Sequence, residues 1–218
     1  MSKELVDFKS KVVVDSSISV DGAYTRQFCV LETEPGIRVP FYYLVPNRSK
    51  NKRPFPIFIS SHGHDKLGLH SYSGTFKNDK HRDEVLTREG NIAEQAVLRG
   101  FVSIAPATRG LASELLVPDP MGRHGKRPCR AQLIHCLLAG RTPTAERVWD
   151  MQRILDWVLK QPEVDSNRII MCGNSGGGVL TTYMAALDPR ITVAIPNCSF
   201  TSSCLLYTSP SPRDLMRS

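Results

Sequence analysis

No histidine follows position 135 in this 218-residue sequence: the six lie at 62, 64, 70, 81, 124 and 135. Long apolar runs are also missing. None approaches the ~18 to 20 residues needed to span a bilayer, and the opening Met1-Ser2-Lys3-Glu4-Leu5-Val6-Asp7 has no apolar core of a secretory leader. No Cys-x-x-Cys pair occurs among the six cysteines, which argues against a thiol-redox motif or a four-cysteine zinc site. Cys172 and Cys198 fall in or beside apolar runs, where a free buried thiol is expected, so a reducing, cytoplasmic setting is the reading. Gly-Lys-Ser/Thr is absent, and with it a phosphate-cradling P-loop. Aromatics make up only 7%. None interleave with the basic clusters Arg48, Lys50, Lys52, Arg53 and Arg123, Lys126, Arg127, Arg130. The net charge of +7 is therefore assigned to solvated loops, with neither a nucleic-acid nor a membrane partner expected.

What is present is an ordinary globular composition, with 41% apolar and 22% charged residues, enough for one large domain. Three segments, 11–14, 26–33 and 38–45, are rich in Val, Phe and Tyr. Glu34-Pro35-Gly36 between the last two predicts a hairpin. From Pro56 the pattern changes. Short apolar runs at 56–61 and 101–105 fit strands buried on both faces, and 168–172 and 192–195 read as a third and a fourth strand. They alternate with helical patterns at 92–99, 145–160 and 177–187. Segment 111–144 reads as irregular. The expectation is a doubly wound, mostly parallel α/β sheet behind an antiparallel opening, with helices on both faces.

Gly173-Asn174-Ser175-Gly176-Gly177 matches Gly-x-Ser-x-Gly, between the apolar run Ile169-Ile170-Met171-Cys172 and a helical segment. That is the setting of a nucleophile elbow, where a serine on a strained strand-to-helix turn needs small neighbours. Gly173 and Gly177 let strand and helix approach, and the Gly176 N–H at the helix start can face a developing oxyanion. His62-Gly63-His64 follows the first buried run, where a second oxyanion donor belongs; the backbone N–H of His64 is the candidate. His62-x-His64-Asp65 also begins like a zinc site, but Asp65 comes one residue early and no fitting histidine follows, so neither metal nor other cofactor is expected. Arg109 is read as organising its loop through an ion pair, with a ligand-facing role as the rival. Asp150 with Arg168 is read as a clamp between helix and sheet.

These motifs together resemble the acetyl xylan esterase and dienelactone-hydrolase-like branch of the α/β-hydrolases. The resemblance rests on His62-Gly63-His64, Arg99-Gly100-Phe101, Pro106-Ala107-Thr108-Arg109-Gly110, Arg147-Val148-Trp149-Asp150, Pro162-Glu163-Val164-Asp165 and Gly173-Asn174-Ser175-Gly176-Gly177-Gly178. It implies a serine carboxylesterase that forms an acyl-enzyme on Ser175, often on acetylated sugars, with a small-molecule or carbohydrate ester as substrate. A peptidase or acyl-transferase on the same fold, or a non-catalytic hydrolase-like binding protein, are the alternatives. In this fold the triad runs Ser, then Asp or Glu, then His. Asp188 lies too soon after Ser175 to be the acid, and no histidine follows. Cys204 to Asp214 is similar to a translated sequencing-library adapter. The expectation is a partial, inactive hydrolase domain over 1–203 and an artefactual, disordered tail over 204–218.

Overall fold

The structure is a computed structural model that describes residues 7–47, 53–123 and 129–199; the tail expectation for 204–218 lies outside them. Seven strands among the described residues form one sheet in the order β1-β2-β3-β5-β4-β6-β7. The opening is an antiparallel meander of β1 (Val12–Val20), β2 (Tyr24–Glu34) and β3 (Ile37–Pro46). The β2–β3 hairpin turns at Pro35-Gly36, where Gly36 takes φ 79. β3 pairs antiparallel with β5 (Val102–Pro106). From there β5, β4 (Phe55–Ser61), β6 (Val164–Asn174) and β7 (Val193–Asn197) are parallel. This is the mixed, mostly parallel sheet that the apolar runs predict.

Among the described residues six α-helices occur, in chain order α1 (Gly68–Tyr72), α2 (Asp79–Thr87), α3 (Ile92–Leu98), α4 (Cys129–Leu138), α5 (Pro143–Val158) and α6 (Gly176–Leu187). Side chains alternate across the strands and split the core in two. Phe41, Tyr43 and Val45 of β3 join Ile57, Ile59, Ile104 and Met171 on the face covered by α5 and α6. Tyr42 and Leu44, one residue out of step, face the other way, onto α1 and α3. α5 is set by its sequence. Thr142 caps it by accepting from the Ala145 N–H at 3.1 Å, Pro143 takes the first turn, and Val148, Met151, Leu155 and Val158 all point into the core.

Three helices escape the sequence reading. α2 is charged along most of its length and buries only Val85. α1 is five residues long. α4 falls in the segment read as irregular, and it leaves Leu133, Ile134, Leu137 and Leu138 exposed. The Asp150–Arg168 clamp is also overturned. Arg168 Nε instead donates to Asp165 Oδ2 at 2.6 Å, and Asp150 pairs with Arg109. Arg168 sits on the exposed side of β6, out of reach of the buried Asp150, whereas Arg109 turns inward with 6% exposure. Cys172 is a buried free thiol as expected, but Cys198 is exposed.

Candidate active site

The sheet's C-terminal edge carries the site. β6 ends at Asn174, α6 begins at Gly176, and Ser175 between them has φ 53 and ψ −116. A residue with a Cβ takes that conformation only where the surroundings enforce it. Three close approaches do so. A Cβ on Gly173 would run into the carbonyl of Gly177, and one on Gly177 would run into the carbonyl of Ser61 at the end of β4. The Ser175 N–H donates to Asn197 O on β7 at 2.9 Å. Glycine at 173 and 177 is thus required by the packing of strand, helix and neighbouring strand around the turn.

The His62–His64 loop lies against this turn. A Cβ on Gly63 would sit 2.7 Å from Asn174 O, and one on Gly176 would sit 3.8 Å from both Gly63 Cα and His64 Nδ1. The sequence candidates Gly173, Ser175, Gly176, Gly177 and His64 therefore converge on one place.

His62, His70 and His81 are committed elsewhere. His62 is fully buried; its Nδ1 bonds Gly63 O at 2.9 Å and its Nε2 accepts the Thr108 N–H at 3.0 Å. Burial holds its pKa below the usual histidine value, so it is neutral and ties β4's end to β5's. His70 bridges Tyr42 and Glu114 at 3.1 and 2.8 Å. His81 Nδ1 accepts from the Lys77 N–H at 3.1 Å and its Nε2 meets Ser71 Oγ at 3.0 Å. With Nδ1 accepting, the neutral ring donates from Nε2. Ser71, which donates to Leu67 O at 3.1 Å, is therefore not activated as a nucleophile. His64 Nε2 contacts Cys129 Sγ at 3.3 Å. His124 lies outside the described residues.

Asp188 is buried at the end of α6, bonded to Arg190 Nε and Nη2 at 2.8 and 2.6 Å. Those bonds hold its carboxyl below the usual range, which fits a structural carboxylate. Arg109 is likewise structural. Its Nε donates to Asp150 Oδ2 at 2.9 Å and its Nη1 to Glu34 Oε1 at 2.6 Å; Thr33 Oγ1 donates to Asp150 Oδ1 at 2.6 Å. Burial works against the guanidinium's charge, but Asp150 and Glu34 outweigh it and push the pKa up. This network joins the β2–β3 turn, the loop after β5 and helix α5. It is the loop-organising role expected of Arg109, with Asp150 and Glu34 replacing the partners that the sequence did not identify.

Ser175 opens onto a cleft of about 660 Å³. Tyr72, Val85 and Ile92 give it an apolar wall, and Asp65, Arg88, Glu89 and Asn197 a polar one. Burial holds the Tyr72 hydroxyl up at about 12, so it is neutral. Among the described residues, no group of three or more His, Cys, Asp or Glu could hold a metal ion, and no helix is long and apolar enough to cross a membrane. The polar wall from α2 was not legible in the sequence, because α2 itself was not.

Comparison with known proteins agrees with this fold. The acetyl xylan esterase (AXE1) family model matches residues 119–205. "Putative hydrolase YtaP" of Bacillus subtilis (strain 168) is 26% identical over 165 residues, covering 74% of this chain and 48% of its own. The crystal structure of a "putative acetyl xylan esterase" from Bacteroides fragilis NCTC 9343 superposes with TM-score 0.66 at 20% identity, over 87% of this chain and 48% of that one. Acetyl xylan esterase 1 from Thermoanaerobacterium sp. JW/SL YS485 gives TM-score 0.53 at 21% identity, over 86% and 52%. The chain thus spans about half the length of the proteins it matches. It has the α/β-hydrolase fold, and its likeness is to the acetyl xylan esterases.

Proposed function

We propose that this chain carries the nucleophile of a serine hydrolase that cleaves carboxylic esters, with acetyl esters of carbohydrates as the substrate class. The observation that carries the reading is Ser175 at φ 53 and ψ −116, held at the tip of a strand–turn–helix and open to a cleft. Its hydroxyl attacks the ester carbonyl; the alcohol leaves and an acyl-enzyme remains. The backbone N–H groups of His64 and Gly176 face the oxyanion that forms at the carbonyl oxygen. The AXE1 match and the acetyl xylan esterase likeness support the choice of ester.

The general base and its acid partner are proposed to lie outside the described residues. Of the five described histidines, 62, 64, 70 and 81 hold other partners and His135 lies on α4 outside the lining of the Ser175 cleft, and Asp188 is bound to Arg190. Residues 1–203 are then a partial hydrolase domain. Without its base the chain acylates slowly on an activated ester and deacylates more slowly still, because water also needs a proton acceptor. The test is intact-mass analysis and peptide mapping after exposure to p-nitrophenyl acetate. An acetyl group retained on Ser175 supports the reading; an unmodified Ser175 refutes it.

A further inference from the structure

Helices α2 and α3 end in the same hydrogen-bonded motif but with different residues at its left-handed position. At the end of α3, Gly100 has φ 91; its N–H donates to Val97 O at 3.0 Å, and the Phe101 N–H reaches back to Ala96 O at 3.2 Å. At the end of α2 the corresponding bonds run from Glu89 to Leu86 O at 3.1 Å and from Gly90 to Val85 O at 2.8 Å. Here Glu89 takes φ 52, and the glycine sits one residue later. Glycine is the usual occupant of that position, because any Cβ there is strained. A non-glycine residue kept in such a conformation points to a use for its side chain.

Glu89 lines the cleft that holds Ser175, beside Arg88. Both are exposed. Arg88 Nε donates to Glu84 O at 3.0 Å, and no hydrogen bond from its two terminal nitrogens is formed among the described residues. Among the described residues neither those nitrogens nor the Glu89 carboxylate forms an ion pair. The pair offers a charged acceptor next to a charged donor. The alkyl group of a simple aliphatic ester satisfies neither group. An anionic substrate meets Glu89 and Asp65, and a cationic one meets Arg88. Neighbouring hydroxyls, each able to donate and accept, satisfy both.

We propose that Glu89 is a specificity-determining residue, accepting hydrogen bonds from hydroxyls on the alcohol part of the substrate while Arg88 donates to their oxygens. This rests on the esterase reading of Ser175 and adds to it the residue that selects polyhydroxylated alcohols.

Calorimetric titration of the full chain with xylotriose, alongside thermal unfolding, decides it. Glu89→Gly relieves the left-handed strain and is expected to raise Tm by about 2 °C while weakening xylotriose binding about fivefold or more. Glu89→Gln keeps the Cβ, leaves Tm in place and weakens binding by a smaller factor. No xylotriose binding by the unmodified chain, unchanged affinity in Glu89→Gly, or a lowered Tm in that variant would each overturn the proposal. Acetylation of Ser175 by p-nitrophenyl acetate is read in parallel. Its absence counts against the esterase reading, whereas the titration reports on Glu89 alone.

Discussion

Gly63 lies directly against Ser175: a methyl group at position 63 would come within 3.0 Å of the Ser175 Cβ and 2.7 Å of Asn174 O. The His62–His64 loop and the strand-to-helix turn at Ser175 are therefore in backbone-level contact, with no room between them for a side chain. Gly63→Ala must push the two apart by several tenths of an ångström. Since oxyanion donors act only within hydrogen-bond range, the rate of Ser175 acetylation should fall by about 100-fold, the loss typical of one such donor. His64→Ala keeps the main-chain N–H and should cost far less. Stopped-time mass spectrometry of the two variants checks the order. Equal losses would place the His64 imidazole in the chemistry.

The strain at Ser175 gives a second expectation. Ser175→Gly removes the Cβ that makes φ 53 unfavourable and should raise stability by about 1 kcal/mol, while Ser175→Ala should not. Both should abolish acetylation at this position. Urea unfolding followed by circular dichroism measures the difference. A Ser175→Gly variant less stable than Ser175→Ala would mean that the turn is relaxed.

Arg109 neutralises carboxylates that are themselves out of solvent: Glu34 is 5% and Asp150 4% exposed. Arg109→Met keeps the length of the side chain but leaves Asp150 without a cationic partner, while Glu34 keeps only Arg141 at 3.0 Å. The expected loss is about 3–5 kcal/mol of unfolding free energy, the magnitude for breaking a buried pair by removing one partner. Arg168→Met, at the exposed pair with Asp165, should change stability by less than about 1 kcal/mol. Comparable effects from the two would remove the distinction drawn between them.

His62 makes stability depend on pH. Its folded pKa is depressed by burial, so the native state stays neutral while the unfolded chain takes up a proton near the ordinary value of about 6.5. The contribution is therefore complete above that pH and declines as pH falls below it, by up to about 1.4 kcal/mol per pH unit. His62→Gln has no such proton to gain. Thermal unfolding of both proteins from pH 7.5 down to 5 should show the wild type losing more stability; parallel curves would contradict the assignment.

Most of the frame was legible because buried parallel strands are written as largely apolar runs: Ile57-Phe58-Ile59, Val102-Ser103-Ile104-Ala105 and Ile169-Ile170-Met171 each lie inside the sheet. Ser175 was legible because only small residues fit around a strained turn, and Gly173 and Gly177 record that constraint. α2 and α4 were not, for opposite reasons. α2 has almost nothing to bury, and α4 keeps several of its leucines on the exposed side, so neither shows the apolar stripe that marks a helix. The Arg109–Asp150 pair was missed because it joins elements 41 residues apart, and sequence spacing carries no signal for such a contact.

The central claim, that Ser175 is an acyl-forming nucleophile, is tested most directly by mapping the acetyl group after reaction with p-nitrophenyl acetate. The account predicts one acetyl group per chain on the peptide containing Gly173 to Gly178, absent in Ser175→Ala. An acetyl group on lysine or cysteine peptides alone, or an identical pattern in Ser175→Ala, would contradict it.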